Sequence, residues 1–446
     1  MQQVKQLTRK RALCPLSLFL MLFLTLPCLA LADGGGVYGL VREHPEFIIF
    51  ALTLVGIAFF PNRTLQTALI GLCILVTYKF FFASFSWTTH LKDETPGLLN
   101  LFGLLLGFTI LAKHFEESGI PAYLPHWLPN DWKGGFCLLL LVMVISSFLD
   151  NIAAALIGGA VAEVVYKRKV HIGFLAAIVA ASNAGGAGSV VGDTTTTMIW
   201  LSGISPMAVL HAYVGSFAAI LIFGGVASWQ QDKYQPIAKD APRNLHFDWI
   251  RTGLVAFILV AAIIANLTVG IPALGVWIAI AIGSFFRKTH WKELIPATKG
   301  AVFLLSLVFA ASLLPVEYLP LASWHTTLGL GFLSAVFDNI PLTKLTLEQG
   351  GYDWGFLAYA VGFGGSMMWF GSSAGVALTG LFPEGRSASA WLKQGWHVTL
   401  GYVVGFAALM AFMGWTPHVP KAKVLDKAIE TSAAPSSFKL ADRLVP

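Results

Sequence analysis

Charge is what this sequence has least of. Only 12% of its 446 residues are Asp, Glu, Lys or Arg, against roughly a quarter in soluble domains, while 56% are hydrophobic and the mean hydropathy is +0.72. That balance excludes a soluble globular domain and defines a polytopic membrane protein. The formal net charge is +6, yet no basic stripe suited to nucleic acid exists, because the basic residues sit in short loops between apolar runs. Cysteine is also scarce. Cys14, Cys28, Cys73 and Cys137 have neither metal-ligand nor disulfide spacing and read as small hydrophobes. An intramembrane aspartyl protease would need Tyr-Asp and Gly-x-Gly-Asp, whereas the acids here follow Leu149, Phe337 and Val190-Val191-Gly192. No enzyme motif and no cofactor motif remains.

What is present is a chain of apolar segments. Lys5, Arg9, Lys10 and Arg11 precede an apolar stretch from Leu13 to Leu29, then Ala30-Leu31-Ala32, which predicts a signal peptide over 1–32. Plain spans are expected near 46–60, 64–86, 97–113, 207–229, 250–267, 272–286, 300–314 and 391–413, bounded by turn signals such as Pro61-Asn62 and Pro96-Gly97. Basic residues from Arg63 to Lys393 mark the cytoplasmic loops, and the linkers near 87–96, 201–206, 268–271 and 315–326 fall outside. Both ends of 135–166 are then cytoplasmic, which a single crossing cannot satisfy, so this segment is expected to enter and return as a re-entrant hairpin. Segment 327–349 does the same from the outer face. With broken helices over 172–200 and 355–382, the expectation is an all-α fold of about ten crossings and two inverted-topology repeats. These cover 46–229 and 250–413, joined by a polar linker over 230–249 and followed by a polar tail over 414–446.

The repeat carries the chemistry. Asp150-Asn151 precedes Gly185-Gly186 and then Gly192-Asp193, and Asp338-Asn339 precedes Gly364-Gly365 and then Gly371-Ser372. Paired helix-breaking motifs in two halves are the sequence mark of a transporter's binding site. A break frees backbone groups that protein, water or a ligand must satisfy inside a membrane, and it brings both helix dipole ends to the midplane. Glycine permits the dihedrals and the close backbone approach required. A carboxylate in such a place can exchange a proton for a cation. Asn151, Asn183 and Asn339 add neutral carbonyls, and Ser182, Thr194, Thr195, Thr196, Ser366, Ser372 and Ser373 add hydroxyls, a hard oxygen set suited to Na+ or Li+.

Blander roles stand beside these. An Asp-Asn pair can simply cap the second arm of a hairpin, although two mirrored copies weigh against that alone. Gly158-Gly159 and Gly224-Gly225 fit helix packing, and the later threonines of Thr194 to Thr197 fit back-bonding to their own helix. Lys344 either snorkels to the interface or offsets a carboxylate as a built-in cation. Glu163, Glu348, His211, His325 and His397 read as interfacial or structural.

The string SNAGGAGSVVGDTTTTMIW, Ser182 to Trp200, resembles the signature of the NhaD-type sodium/proton antiporters. FDNIPL, Phe337 to Leu342, and GGSMMWFGSSAGVAL, Gly364 to Leu378, are similar to its second-half partner within the ion transporter superfamily. The resemblance implies a dimerising scaffold region, and a transport region of hairpins and broken helices that moves to alternate access. Asp150, Asn151, Asn183, Asp193, Asp338, Asn339 and Ser372 would be its site residues. It further implies Na+ (or Li+) exchange against H+ in a bacterial inner membrane, with the citrate, dicarboxylate, bicarbonate and arsenite carriers of the superfamily as the alternative. Three departures bear on selectivity: Ala153-Ala154-Ala155 in place of hydroxyls, Val191 in place of proline, and Lys344 in place of an apolar residue.

Overall fold

The computed structural model describes residues 44–60, 63–82, 85–120, 128–238 and 247–418. The predicted signal peptide, Cys14 and Cys28, most of the polar tail and residues 239–246 of the linker lie outside them. Every regular element among the described residues is helical. Five helices are long and apolar enough to cross a bilayer, Thr64–Phe82, Trp87–Glu117, Met207–Tyr234, Trp249–Val269 and Trp291–Ser312, and a bent pair, Ala388–Gln394 with Trp396–Phe412, makes a sixth. Large apolar side chains such as Ile70, Phe81, Ile264 and Leu267 face outward. In water such a surface would aggregate; in lipid it is the solvated face. The chain is a multi-pass membrane protein.

The helices sort into two groups. α1 (Pro45–Phe59), α2 (Thr64–Phe82), α3 (Trp87–Glu117), α9 (Trp249–Val269), α10 (Pro272–Gly283) and α11 (Leu294–Ser312) pack on one another. The second group is α4 (Trp132–Ser146), α5 (Asn151–Val165), α6 (Ile172–Gly186), α7 (Thr194–Leu201), α8 (Ala212–Tyr234), α12 (Trp324–Ser334), α13 (Asn339–Gln349), α14 (Ser373–Leu381), α15 (Ala388–Gln394) and α16 (Trp396–Phe412). A seam of Leu101, Leu304 and Val308 from the first group against Met198 and Ile340 from the second joins them.

Local signals explain the ends. Asp131 caps α4 by accepting from the Lys133 amide, Ser323 and Thr326 form a capping box on α12, and Gly270, with φ at +73°, closes α9. Segments assigned by their basic residues to one side meet at one end of the molecule. Glu117 pairs with Arg251 at 2.7 Å and with His290 at 3.3 Å, and the Asp248 amide donates to the Ser118 carbonyl at 2.9 Å. At the opposite end Gln349 donates to the Pro320 carbonyl at 2.7 Å, and His90 meets Ser312 at 3.0 Å.

One turn signal was overruled. Pro96-Gly97 was expected to end a linker, yet Pro96 lies inside the 31-residue α3. Proline removes an interior hydrogen bond, but here the turns before it are tied down elsewhere: His90 to Ser312, and Glu94 to Lys344 at 2.9 Å. Tertiary contacts thus make residues 87–96 the first turns of α3 in place of an outer linker.

Candidate functional site

Each expected break is present, and the breaks pack against one another. α4 stops at Ser146 and α5 starts at Asn151, with Asp150 as its N-cap, Oδ2 accepting from the Ile152 amide at 3.2 Å. α12 stops at Ser334 and α13 starts at Asn339, with Asp338 Oδ1 accepting from the Ile340 amide at 3.1 Å. α6 ends at Gly186, and α7 resumes at Thr194 after Asp193. The matching break in the second half is looser. A short turn, Trp354–Leu357, runs into a π-helix over Ala358–Phe363 and a 3₁₀ turn over Gly365–Met367 before α14 resumes at Ser373.

The two halves make equivalent contacts around these breaks. Ser146 Oγ donates to the Ser182 carbonyl at 2.6 Å, and Ser334 Oγ donates to the Val361 carbonyl at 2.7 Å. A side chain on Gly185 would strike the Met143 carbonyl, and one on Gly364 the Gly331 carbonyl. Gly192 likewise lies on the Ser146 carbonyl and Gly371 on that of Ala335. The glycines are therefore needed for backbone-to-backbone packing of hairpin against broken helix. Gly186 and Gly365 close each break on Gly192 and Gly371 respectively.

At the centre stands Asp193, 2% exposed. Asn151 Nδ2 donates to its Oδ1 at 3.1 Å and to Asn183 Oδ1 at 3.0 Å. From the other half, Asn339 Nδ2 lies 3.3 Å from each carboxylate oxygen and donates to Thr195 Oγ1 at 2.9 Å. Asn183 Nδ2 completes the network, donating to Ser366 Oγ at 2.9 Å and Ser372 Oγ at 3.2 Å. Seven of the expected residues, Asn151, Asn183, Asp193, Thr195, Asn339, Ser366 and Ser372, thus form one hydrogen-bonded cluster drawn from both halves.

A cavity of about 1250 Å³ opens onto the cluster. Asp150, Asn151, Asp193, Thr194, Asn339 and Ser373 line its floor, and its walls are mostly apolar. Lys113, Glu116, Glu163, Lys167, Arg168 and Glu293 line the other end, so it leads to the face where the basic loops gather. Asp338 does not line it. Its second oxygen accepts from Ser373 Oγ at 3.3 Å.

Two expected roles change. Lys344 does offset carboxylates, but Glu94 (2.8 Å) and Glu348 (2.9 Å) are the acids it pairs with, away from Asp338. The reason is helical geometry: Glu348 lies one turn along the same face of α13, and Glu94 faces it from α3. Thr196 leaves the oxygen set: it and Thr197, the later threonines expected to back-bond, both donate to the Asp193 carbonyl at 2.9 Å, and also to the carbonyls of Ser189 (2.6 Å) and Val190 (2.8 Å) respectively, thereby shaping the break. Ser146 and Ser334, which pin hairpin to broken helix, were missed. The signal existed, since each sits four residues before its Asp.

Interrupted helices that meet at a buried polar centre inside a multi-pass helical protein are the arrangement of secondary-transporter binding sites. The family described as citrate transporter, CitMHS, matches residues 51–364, more than half of the chain, and the chain belongs to that family. It is similar to Sodium/proton antiporter 1 of Arabidopsis thaliana, 28% identical over 328 residues, which are 63% of this chain and 55% of that protein. It therefore spans about half the length of that relative. A 46 kDa membrane protein of Mycobacterium leprae is 27% identical over 394 residues, 76% of this chain and 91% of its own. The Na(+)/H(+) antiporter NhaD of Vibrio cholerae is 28% identical over 369 residues, 68% and 76% of the two chains.

Proposed function

We propose that this protein is a secondary antiporter exchanging Na+ (or Li+) for H+ by alternating access. The observation that carries the reading is the Asp193 carboxylate, buried where both halves meet, with neutral amides as its donors. An anionic group so placed is costly in a water-poor interior unless it holds a proton or a cation. A carrier that moves only with one or the other bound performs exchange. Asn151, Asn339 and Thr194 stand beside that acid on the cavity wall, Asn183 and Ser372 join the network through Asn151, and Asp150 adds a second carboxyl to the wall.

In this reading the segments 46–229 and 250–413 are inverted repeats giving ten crossings, with 135–166 and 327–349 as re-entrant hairpins. The first helix group is the scaffold and the surface of a homodimer; the second group moves. The mouth of the cavity, where Lys113, Lys167 and Arg168 stand with Glu116, Glu163 and Glu293, lies among the loops assigned to the cytoplasmic side of a bacterial inner membrane, so the arrangement described is the inward-open one. The relatives named as sodium/proton antiporters support the choice of cargo.

The test is purified protein in proteoliposomes holding a preset pH gradient. Addition of Na+ or Li+ should dissipate it; a folded protein that leaves the gradient intact for both ions ends the antiport reading. The family description and the cavity volume favour a second reading, a cation-coupled carrier of citrate or another small carboxylate. Its weakness is charge, because Lys344, the cation it needs beside the hairpin, is taken by Glu94 and Glu348. Uptake of labelled citrate driven by a Na+ gradient would establish it.

A further inference from the structure

The pseudo-symmetry of the centre is broken at two positions, and both breaks fall on the groups that would bind a cation. Counting from the paired glycines, Asn183 in the first copy corresponds to Gly362 in the second, and Asp193 corresponds to Ser372. The cross-contacts respect this correspondence. Asn183 reaches Ser372 at 3.2 Å, and the reciprocal pair is Gly362 with Asp193. A Cβ on Gly362 would stand 3.0 Å from Asp193 Oδ2, with Ala187 Cβ, at 3.9 Å, its one other neighbour within 4 Å among the described residues.

Nothing about backbone packing forces glycine here, unlike Gly185 or Gly364, whose side-chain direction is filled by a carbonyl. What the missing side chain does is let the backbone of the second half stand directly against one oxygen of the central acid, with no side chain between them. Gly362 also lies in the π-helix, a rare wide turn that is frequently found at functional sites. Meanwhile Asn339, whose counterpart Asn151 already serves Asp193, turns to that same acid instead of to its own half.

We infer that Gly362 is the specificity-determining position of the proposed antiport site. By carrying no side chain it admits one small monovalent cation against Asp193 Oδ2, and Ser372, standing where a second acid would be, removes the twin site. Each protomer then takes a single Na+ or Li+ per cycle. This rests on the antiport reading and goes beyond it in fixing the number and size of the cargo ion.

The experiment uses the full-length wild type, Gly362→Ala and Gly362→Ser in proteoliposomes, with Na+, Li+ and K+ titrated against a pH gradient. Wild type should show a Hill coefficient near one for Na+ and should reject K+. One added carbon in a fitted site changes selectivity by about tenfold or more, so Gly362→Ala should raise the Na+ concentration for half-maximal exchange by about that factor, raise that for Li+ less, and Gly362→Ser should do the same. Wild type that moves neither Na+ nor Li+ overturns the antiport reading and this inference with it. Wild type that exchanges Na+ while both variants keep its affinities and its Li+/Na+ ratio overturns this inference alone. Should neither variant fold, the wild type decides: a Hill coefficient approaching two, or K+ exchange matching Na+, refutes a single small-ion site.

Discussion

The two hairpin-tip acids look alike in sequence and should differ in use, and substitution to Asn isolates the difference. Both are N-caps, with Asp150 Oδ2 at 3.2 Å from the Ile152 amide and Asp338 Oδ1 at 3.1 Å from the Ile340 amide. Asn caps a helix about as well as Asp, so Asp150→Asn and Asp338→Asn should leave stability within roughly 0.5 kcal/mol, whereas either Ala variant should lose about 1 kcal/mol. The charge is another matter. Asp150 lines the cavity beside Asn151, while both oxygens of Asp338 are occupied, by the Ile340 amide and Ser373 Oγ. A unit charge ~6 Å from a cation, at an effective dielectric of ~20, contributes about 3 kcal/mol, or roughly two orders of magnitude in affinity. Asp150→Asn should therefore lower Na+-dependent exchange at sub-saturating Na+ by about a hundredfold with an unchanged melting temperature, and Asp338→Asn should stay within a few-fold of wild type. Two measurements on each variant suffice, thermal unfolding in detergent and exchange in proteoliposomes. If Asp338→Asn fails as completely as Asp150→Asn while both fold, the argument from cavity lining and occupied oxygens is refuted. If Asp150→Asn exchanges like wild type, the argument from charge is.

Lys344→Met would leave Glu94 and Glu348 facing each other without their cation and should cost about 3 kcal/mol of stability, read as a lowered melting temperature, with partial recovery in the Lys344→Met, Glu94→Gln double variant. Gly185→Ala and Gly364→Ala drive a methyl group into the carbonyls of Met143 and Gly331 and should abolish the folded monodisperse protein on size-exclusion chromatography. Gly380→Ala, where nothing lies within 4 Å, should be neutral or gain up to about 1 kcal/mol. At the loop end the Arg287 guanidinium, 2.7 Å from Asp248, is the main influence holding that carboxyl below its usual range. A depressed carboxyl stabilises above its unfolded pKa of about 3.9 and loses that contribution as pH falls through its folded value. The melting-temperature difference between wild type and Arg287→Ala should therefore be flat from pH 5 to 8 and shrink only below about pH 4.

How much of this was legible in the sequence follows from what kind of signal each feature leaves. The breaks were legible because Gly-Gly, Gly-Asp and Asp-Asn are local departures from an apolar background, and the helices do stop at Ser146, Gly186 and Ser334. Asn151 and Asn339 were legible because the Asp-Asn pair recurs in two copies, and Asn183, Asp193 and Ser372 because they are polar residues flanking the helix-breaking glycines of each copy. Pairings between copies were not. Nothing local tells Lys344 that Glu94, 250 residues earlier, will be nearer than Asp338, and the Pro96-Gly97 turn signal was overridden by that same contact and by His90 with Ser312. The π-helix over Ala358–Phe363 has no composition of its own and arises only where the chain must fit against α12 and α8.

The mismatch between the copies proved more informative than their match. A repeat fold that met itself at a perfect two-fold centre would bring two identical acids together, and like charges at short range in a water-poor site could not both stay ionised. Replacing one acid by Ser372 removes that repulsion, and replacing Asn183's counterpart by Gly362 leaves no side chain between the remaining acid and the backbone of the second half. Both surviving amides, Asn151 and Asn339, then serve Asp193. The consequence is directional: Ser372→Asp, which undoes one of the two mismatches, should return a second acid to the centre. It should place a carboxylate on the Asn183 amide, in the network that already holds Asp193 through Asn151, and make exchange demand either an extra proton or a second cation. A steeper Na+ dependence in that variant than in wild type would be the sign that the lost twin site had been rebuilt, and an unchanged slope at full activity would show that position 372 has no part in binding the ion.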